Sequence, residues 1–249
     1  MSKAILFLFL LSFLPASTTD SPDSNYPLEG DTPEIESDAP ERELTDSSLD
    51  KIKIRAREAA VRVEEAWSPG YGSGSYFKHG NLHFVITAHH VVTSGGPIIV
   101  TSPTGETVHG IVVFRSPAAD IAVIAIEGME SRKPMPFKPL SQVVEPGTEI
   151  TYSGHPGYHM LTQTFMGVVS GYEESYGGYV LVNSYIWFGS SGSCMFDKRG
   201  RLVGVVSAIE VQRFVQRQAL PGLAWVKSIT DVDKDSILLA VEKSGPKRW

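Results

Sequence analysis

The sequence holds a single cysteine, Cys194, so it can form no disulfide within the chain, and any export must be tolerated without one. Cys-x-x-Cys pairs and mixed Cys/His clusters are absent for the same reason. The seven histidines, His79, His83, His89, His90, His109, His155 and His159, share no ligand spacing on a common helix. Nothing in the sequence therefore motivates a metal site, and no cofactor motif is present. Positive charge is also sparse. The chain has 22 Lys and Arg against 28 Asp and Glu, with no dense basic patch interleaved with aromatics, and this sets nucleic-acid binding aside. The apolar run from Ala4 to Leu14 falls well short of the ~20 residues that a bilayer-spanning helix needs.

That run is nevertheless informative. It follows the charged start Met1-Ser2-Lys3 and precedes the small residues Ala16, Ser17 and Thr18, the arrangement of a secretory signal at 1–18. The expectation is an exported chain, secreted or periplasmic, anchored in a membrane only if the signal stays uncleaved. From Asp20 to Asp50 the sequence has eleven acidic residues and one basic residue, Arg42, together with Pro22, Pro27, Pro33 and Pro40. With so little to bury, the segment 19–45 is expected to be disordered. The remainder, from Lys51 onward, carries about +3 once Lys3 is set against the formal total of -6.

From Asp46-Ser47-Ser48 the pattern changes, with capping residues followed by Leu49, Ile52, Ile54 and Ala56 in a short helix, then Ala60-Val61-Arg62-Val63 as a first strand. Short segments rich in Val, Ile and Thr recur at 73–77, 84–87, 98–101, 110–114 and 121–126. After a proline-bearing connection at 131–146, a second series occupies 149–152, 163–169, 178–182, 202–206 and 223–226. Such spacing predicts an all-β body of two similar units, a sandwich or small barrels rather than a βαβ fold. Residues 233–243 read as a C-terminal helix.

Three stretches carry candidate chemistry. Phe84-Val85-Ile86-Thr87 runs into the pair His89-His90 at an expected strand end. Ser116-Pro117-Ala118-Ala119-Asp120 places a carboxylate at the opening of an apolar strand. Gly189-Ser190-Ser191-Gly192-Ser193 sets a serine between glycines, whose backbone freedom lets two amide hydrogens point at one spot beside its hydroxyl. Taken singly, each also reads as ordinary structure: a core histidine, a turn aspartate, a flexible Gly/Ser turn. Together, in the order His, Asp, Ser, they supply a base, its orienting acid and a nucleophile.

These residues resemble the motifs of chymotrypsin-fold (trypsin-like) serine proteases, and the HtrA-like bacterial type in particular. The resemblance rests on Thr87-Ala88-His89-His90, Asp120-Ile121-Ala122-Val123 and Gly189-Ser190-Ser191-Gly192, supported by Gly154-His155-Pro156-Gly157, Met166-Gly167-Val168-Val169-Ser170 and the stretch 197–206. It covers roughly residues 58–230. It implies two six-stranded antiparallel β-barrels, about 58–130 and 147–230, within a protease domain at 46–230, followed by a helix and tail at 231–249. It implies a serine endopeptidase, acting on proteins or peptides without a cofactor, through His90, Asp120 and Ser191; His89 is the alternative base.

The amides of Gly189 and Ser191 would form the oxyanion hole. Tyr185 would lie at the base of the substrate pocket, with Ser207, Ala208 and Ile209 as its wall and as the edge that pairs with extended substrate. A preference for small or medium apolar side chains follows from these pocket residues. Ser193 is expected to be a small structural residue, and Cys194 is three positions past the nucleophile and expected in the core. Ser190 stands where digestive relatives have the aspartate of their zymogen switch, so that switch is not carried over. About twenty residues follow the last barrel strand, too few for a PDZ domain, so gating by one is not carried over either, and oligomeric state stays open. A catalytically silent peptide-binding module on the same fold is the competing reading, and an esterase with the same triad is a third.

Overall fold

The computed structural model describes residues 48–157, 161–174, 178–213 and 217–244. The expected signal and acidic segment lie outside them. The description begins with α1, Ser48–Ala59, in which Ile52, Ala56 and Ala59 recur at helical spacing and are buried, whereas Ile54 faces solvent. Asp50 in its first turn and Arg57 in its last oppose the helix dipole favourably.

The chain passes directly into β1 (Ala60–Glu65), then β2 (Tyr71–His79), β3 (Leu82–Ala88), β4 (Ile98–Thr101), β5 (Thr107–Ser116) and β6 (Ile121–Ala125). These pair antiparallel in the order β1-β4-β5-β6-β3-β2, and β1 pairs again with β2, so the ring closes. A two-residue strand, β7 (Met135–Pro136), lies in the proline-bearing connection and pairs in parallel with β2. The second ring comprises β8 (Glu149–Gly154), β9 (Gln163–Glu173), β10 (Tyr179–Asn183), β11 (Cys194–Asp197), β12 (Leu202–Arg213) and β13 (Arg217–Ser228). It closes in the order β10-β13-β12-β11-β8-β9. Two closed six-stranded antiparallel barrels, as the resemblance implies, satisfy nearly every strand edge internally. The short helix α2 (Lys234–Ser244) follows.

The burial pattern explains why several strands read as unbroken apolar runs rather than alternating ones. In β6, Ala122 and Ile124 fill the first barrel, while Ile121 and Val123 face the other way into a core shared between the barrels. In β12, Val203 and Val206 fill the second barrel, while Leu202 and Val205 face the same shared core. Strands with both faces buried need apolar residues at both parities. The shared core also takes Ile52 and Ala56 from α1 and Ile237 and Val241 from α2, so both helices seal the seam along which the site lies.

Candidate active site

The antiparallel register of β3 and β6 brings the first two candidate residues together. Thr87 lies opposite Ala122 and Ala88 opposite Ile121, so one step beyond the pair His89 meets Asp120, and the His89 N–H donates to the Asp120 carbonyl at 3.1 Å. The chain then turns through a short 3₁₀ segment, His89–Val91. That turn brings the His90 ring to the carboxylate: Nδ1 is 2.8 Å from Asp120 Oδ2, and the His90 backbone N–H donates to Oδ1 at 3.0 Å. A carboxylate only accepts, so the proton between them sits on Nδ1 and leaves Nε2 able to take another. His89 makes no such bond; its Nδ1 is buried without a partner among the described residues, and burial pushes its pKa down.

Asp120 is the only described non-glycine residue with positive φ, at 46°, a left-handed conformation that aspartate tolerates better than most side chains. It ends the turn at 117–120 that joins β5 to β6 and holds the carboxylate against His90. The side chain is buried. Burial raises its pKa, but the hydrogen bond and charge of His90 and the hydrogen bond from Ser207 outweigh it, and the net shift is downward.

Ser207 reaches the pair from β12. Val206 pairs with Val226 and Ala208 with Trp225, so Ser207 is an extra residue in β12, a bulge, and its hydroxyl turns inward to donate to Asp120 Oδ2. Its side chain therefore joins the His90–Asp120 pair. Behind it, the Lys227 ammonium lies 4.1 Å over the Tyr179 ring and donates to the Gly178 carbonyl at 3.0 Å. A lysine directly after the apolar run Leu223-Ala224-Trp225-Val226, still within β13, is the sequence signal for this buried layer.

The serine loop packs onto the strand that leads to His90. A side chain at Gly192, where φ is 90°, would come within 2.2 Å of Thr87 Oγ1 and 2.0 Å of the Ser73 carbonyl, so only glycine allows this approach. Within the loop the Ser190 N–H donates to the Trp187 carbonyl at 3.0 Å, that of Gly192 to Val206 at 2.8 Å and that of Ser193 to Ser190 at 2.9 Å. The remaining two amides, of Gly189 and Ser191, have no acceptor among the described residues. Ser190 is fully buried; the nearby Tyr152 hydroxyl donates to the Tyr185 carbonyl, and burial raises its pKa. Ser193 is buried, and Cys194 sits in the shared core with its thiol pushed up to about 12 by burial.

The pocket residues are placed differently from one another. Ala208 and Ile209 lie on the part of β12 that pairs only with β13 among the described residues, leaving one edge open. Tyr185 is 47% exposed, more open than the floor of an enclosed pocket, with its ring packed on Phe165. Trp187 and Phe188, also partly exposed, make an edge-on ring pair beside it.

The family model described as Trypsin-like peptidase domain matches residues 72–205, more than half of the chain, and spans His90, Asp120 and Ser191. The chain belongs to the trypsin-like peptidase family. Among curated relatives, this trypsin-like peptidase is 28% identical over 144 residues to Serine protease HTRA2, mitochondrial, of Bos taurus, and 27% identical over 147 residues to the Putative serine protease HhoA of Synechocystis. Those matches cover 53% and 55% of this chain but only 31% and 37% of the relatives, so it spans about a third of their length. The crystal structure of the serine endoprotease from Yersinia pestis shares the fold, with a TM-score of 0.60 at 20% identity over 77% of this chain and 67% of that one. Among the described residues no group of His, Cys, Asp and Glu is arranged to hold a metal ion, and no helix is long and apolar enough to cross a membrane.

Proposed function

We propose that this trypsin-like peptidase is a serine endopeptidase that cleaves peptide bonds through an acyl-enzyme. Ser191 Oγ attacks the carbonyl carbon while His90 Nε2 accepts its proton; His90 then returns that proton to the leaving amine, and a water repeats the sequence on the acyl-enzyme. Asp120 fixes the His90 tautomer and stabilises the imidazolium. The observation that carries the reading is the pair of unclaimed amides at Gly189 and Ser191, flanking a serine on a loop packed against the strand end of an Asp120-bonded histidine. Two backbone amides left without a protein acceptor next to a nucleophile suit a developing oxyanion, for which each donor contributes on the order of 3 kcal/mol.

Extended substrate would add to the open edge of β12 at Ala208 and Ile209, with its side chain before the cut resting against Tyr185. With no acidic group at Tyr185 and an isoleucine at 209, small or medium apolar residues are favoured there. The segment 1–18 would export the chain, and N-terminal sequencing of the mature protein checks this. The decisive test of activity incubates the full-length protein and its Ser191→Ala variant with an unfolded protein and with a serine-directed phosphonate. Hydrolysis and labelling in the wild type, lost by a factor of about 10⁴ or more in the variant, are expected. Peptide binding without labelling or turnover would instead identify a silent binding module.

A further inference from the structure

Ser73 lies on β2 of the first barrel and is fully buried, yet its contacts converge on the serine loop of the second. Its backbone N–H donates to the Ser191 carbonyl at 2.7 Å, and its hydroxyl donates to the Gly189 carbonyl at 2.7 Å. The same hydroxyl accepts from the His155 N–H at 2.9 Å, and the Ser73 carbonyl accepts from Thr87 Oγ1 at 2.7 Å. Four hydrogen bonds of one small residue are thus directed at three pieces of the site: the strand end before His90, the loop containing His155 and the nucleophile loop.

Resting on the peptidase reading above, we propose that Ser73 is the positioning residue of the oxyanion hole, holding the Gly189 and Ser191 peptides so that their amides face the reacting carbonyl. In a trans peptide the carbonyl of one residue and the amide hydrogen of the next point in opposite directions, so Ser73 fixes the planes that carry the Ser190 and Gly192 N–H groups and acts on the Gly189 and Ser191 amides through these adjoining planes. The plane before Gly189 is held by the Gly157 N–H, which donates to the Phe188 carbonyl at 2.6 Å; the plane after it is held by the Ser73 hydroxyl. With both planes fixed, Gly189 is locked at a φ of 91°, in a place where a side chain would come within 2.5 Å of the His155 carbonyl. Beyond the nucleophile, the Ser73 N–H holds the plane that follows Ser191. One residue of the first barrel therefore grips the loop on both sides of the attacking oxygen, and the hole exists only while the barrels are docked.

Ser73→Ala removes the hydroxyl and keeps the backbone bond, so it tests the side chain alone. In the full-length protein kcat is expected to fall about 10- to 100-fold, with KM changed less than threefold. The affinity of a peptide boronic acid, whose tetrahedral adduct needs the hole, should fall by the same factor as kcat/KM, while that of a cleaved product peptide should not change. A wild-type kcat, or losses no greater than the unfolded fraction measured by circular dichroism at the assay temperature, would overturn the proposal. If Ser73→Ala does not fold, Ser73→Gly is measured by the same three readouts and judged by the same outcomes. Absence of turnover in the wild type would sink the peptidase reading and the inference together, whereas wild-type turnover left intact by the substitution sinks the inference alone.

Discussion

At the scale of single residues, two changes around Asp120 should separate orientation from charge. Ser207→Ala removes one hydrogen bond to a buried carboxylate and should lower kcat/KM about tenfold, with the ranking of peptide substrates unchanged. Asp120→Asn keeps the shape but favours the wrong His90 tautomer, and should lower kcat about 10⁴-fold. It should also alter the response to acid. The folded pKa of Asp120 is depressed, so its contribution to stability is present above the ordinary carboxylate range near pH 4 and is lost as the pH falls through the lower folded value. Melting temperatures between about pH 2.5 and 5 should therefore fall less steeply for Asp120→Asn than for the wild type. The candidate residues His90, Asp120 and Ser191 stand out in the sequence because each sits in a short motif. The hydrogen bonds of Ser73 and of Ser207 do not, because a serine in a strand looks the same whether its hydroxyl meets a neighbour in sequence or a loop 116 residues away. Only the bulge re-aims Ser207, and a bulge leaves no composition signal.

At the scale of elements, the nucleophile loop depends on two left-handed glycines, and their replacement should have different reach. Gly189→Ala meets the His155 carbonyl and distorts the expected hole, so a loss of kcat larger than the loss of stability is expected. Gly192→Ala meets Ser73 and Thr87 at once, 2.0 and 2.2 Å away, and should destabilise the fold itself by several kcal/mol, seen as a fall in denaturation midpoint. Most strands were readable from their Val, Ile and Thr content. β11 was not: four residues, Cys194-Met195-Phe196-Asp197, follow a Gly/Ser run and end in a turn, so it has neither the length nor the β-branched content of a strand signal. It exists because its neighbours β8 and β12 pair with it from both sides.

At the scale of the whole molecule, the two barrels meet over a core to which both helices contribute, and the site lies along that seam. Ile52→Ala on α1 opens this core from the outside and should cost about 2–5 kcal/mol by chemical denaturation. The pairing of two units was visible in the proline-bearing break at 131–146, but the sealing role of α1 was not, since its Ile52 and Ala56 acquire a partner surface only once the barrels are side by side. The solitary cysteine reports on that contact. Cys194 of the second barrel faces the Ile86 carbonyl of the first, with Sγ 3.8 Å from the oxygen, and is closed to solvent. Its thiol is in effect a clock for the parting of the barrels: a sulfur-reactive dye can mark it only during an excursion that breaks the seam. The marking rate thus counts those excursions in a chain with no second thiol to confuse the reading, and a ligand that bridges the seam should slow the clock.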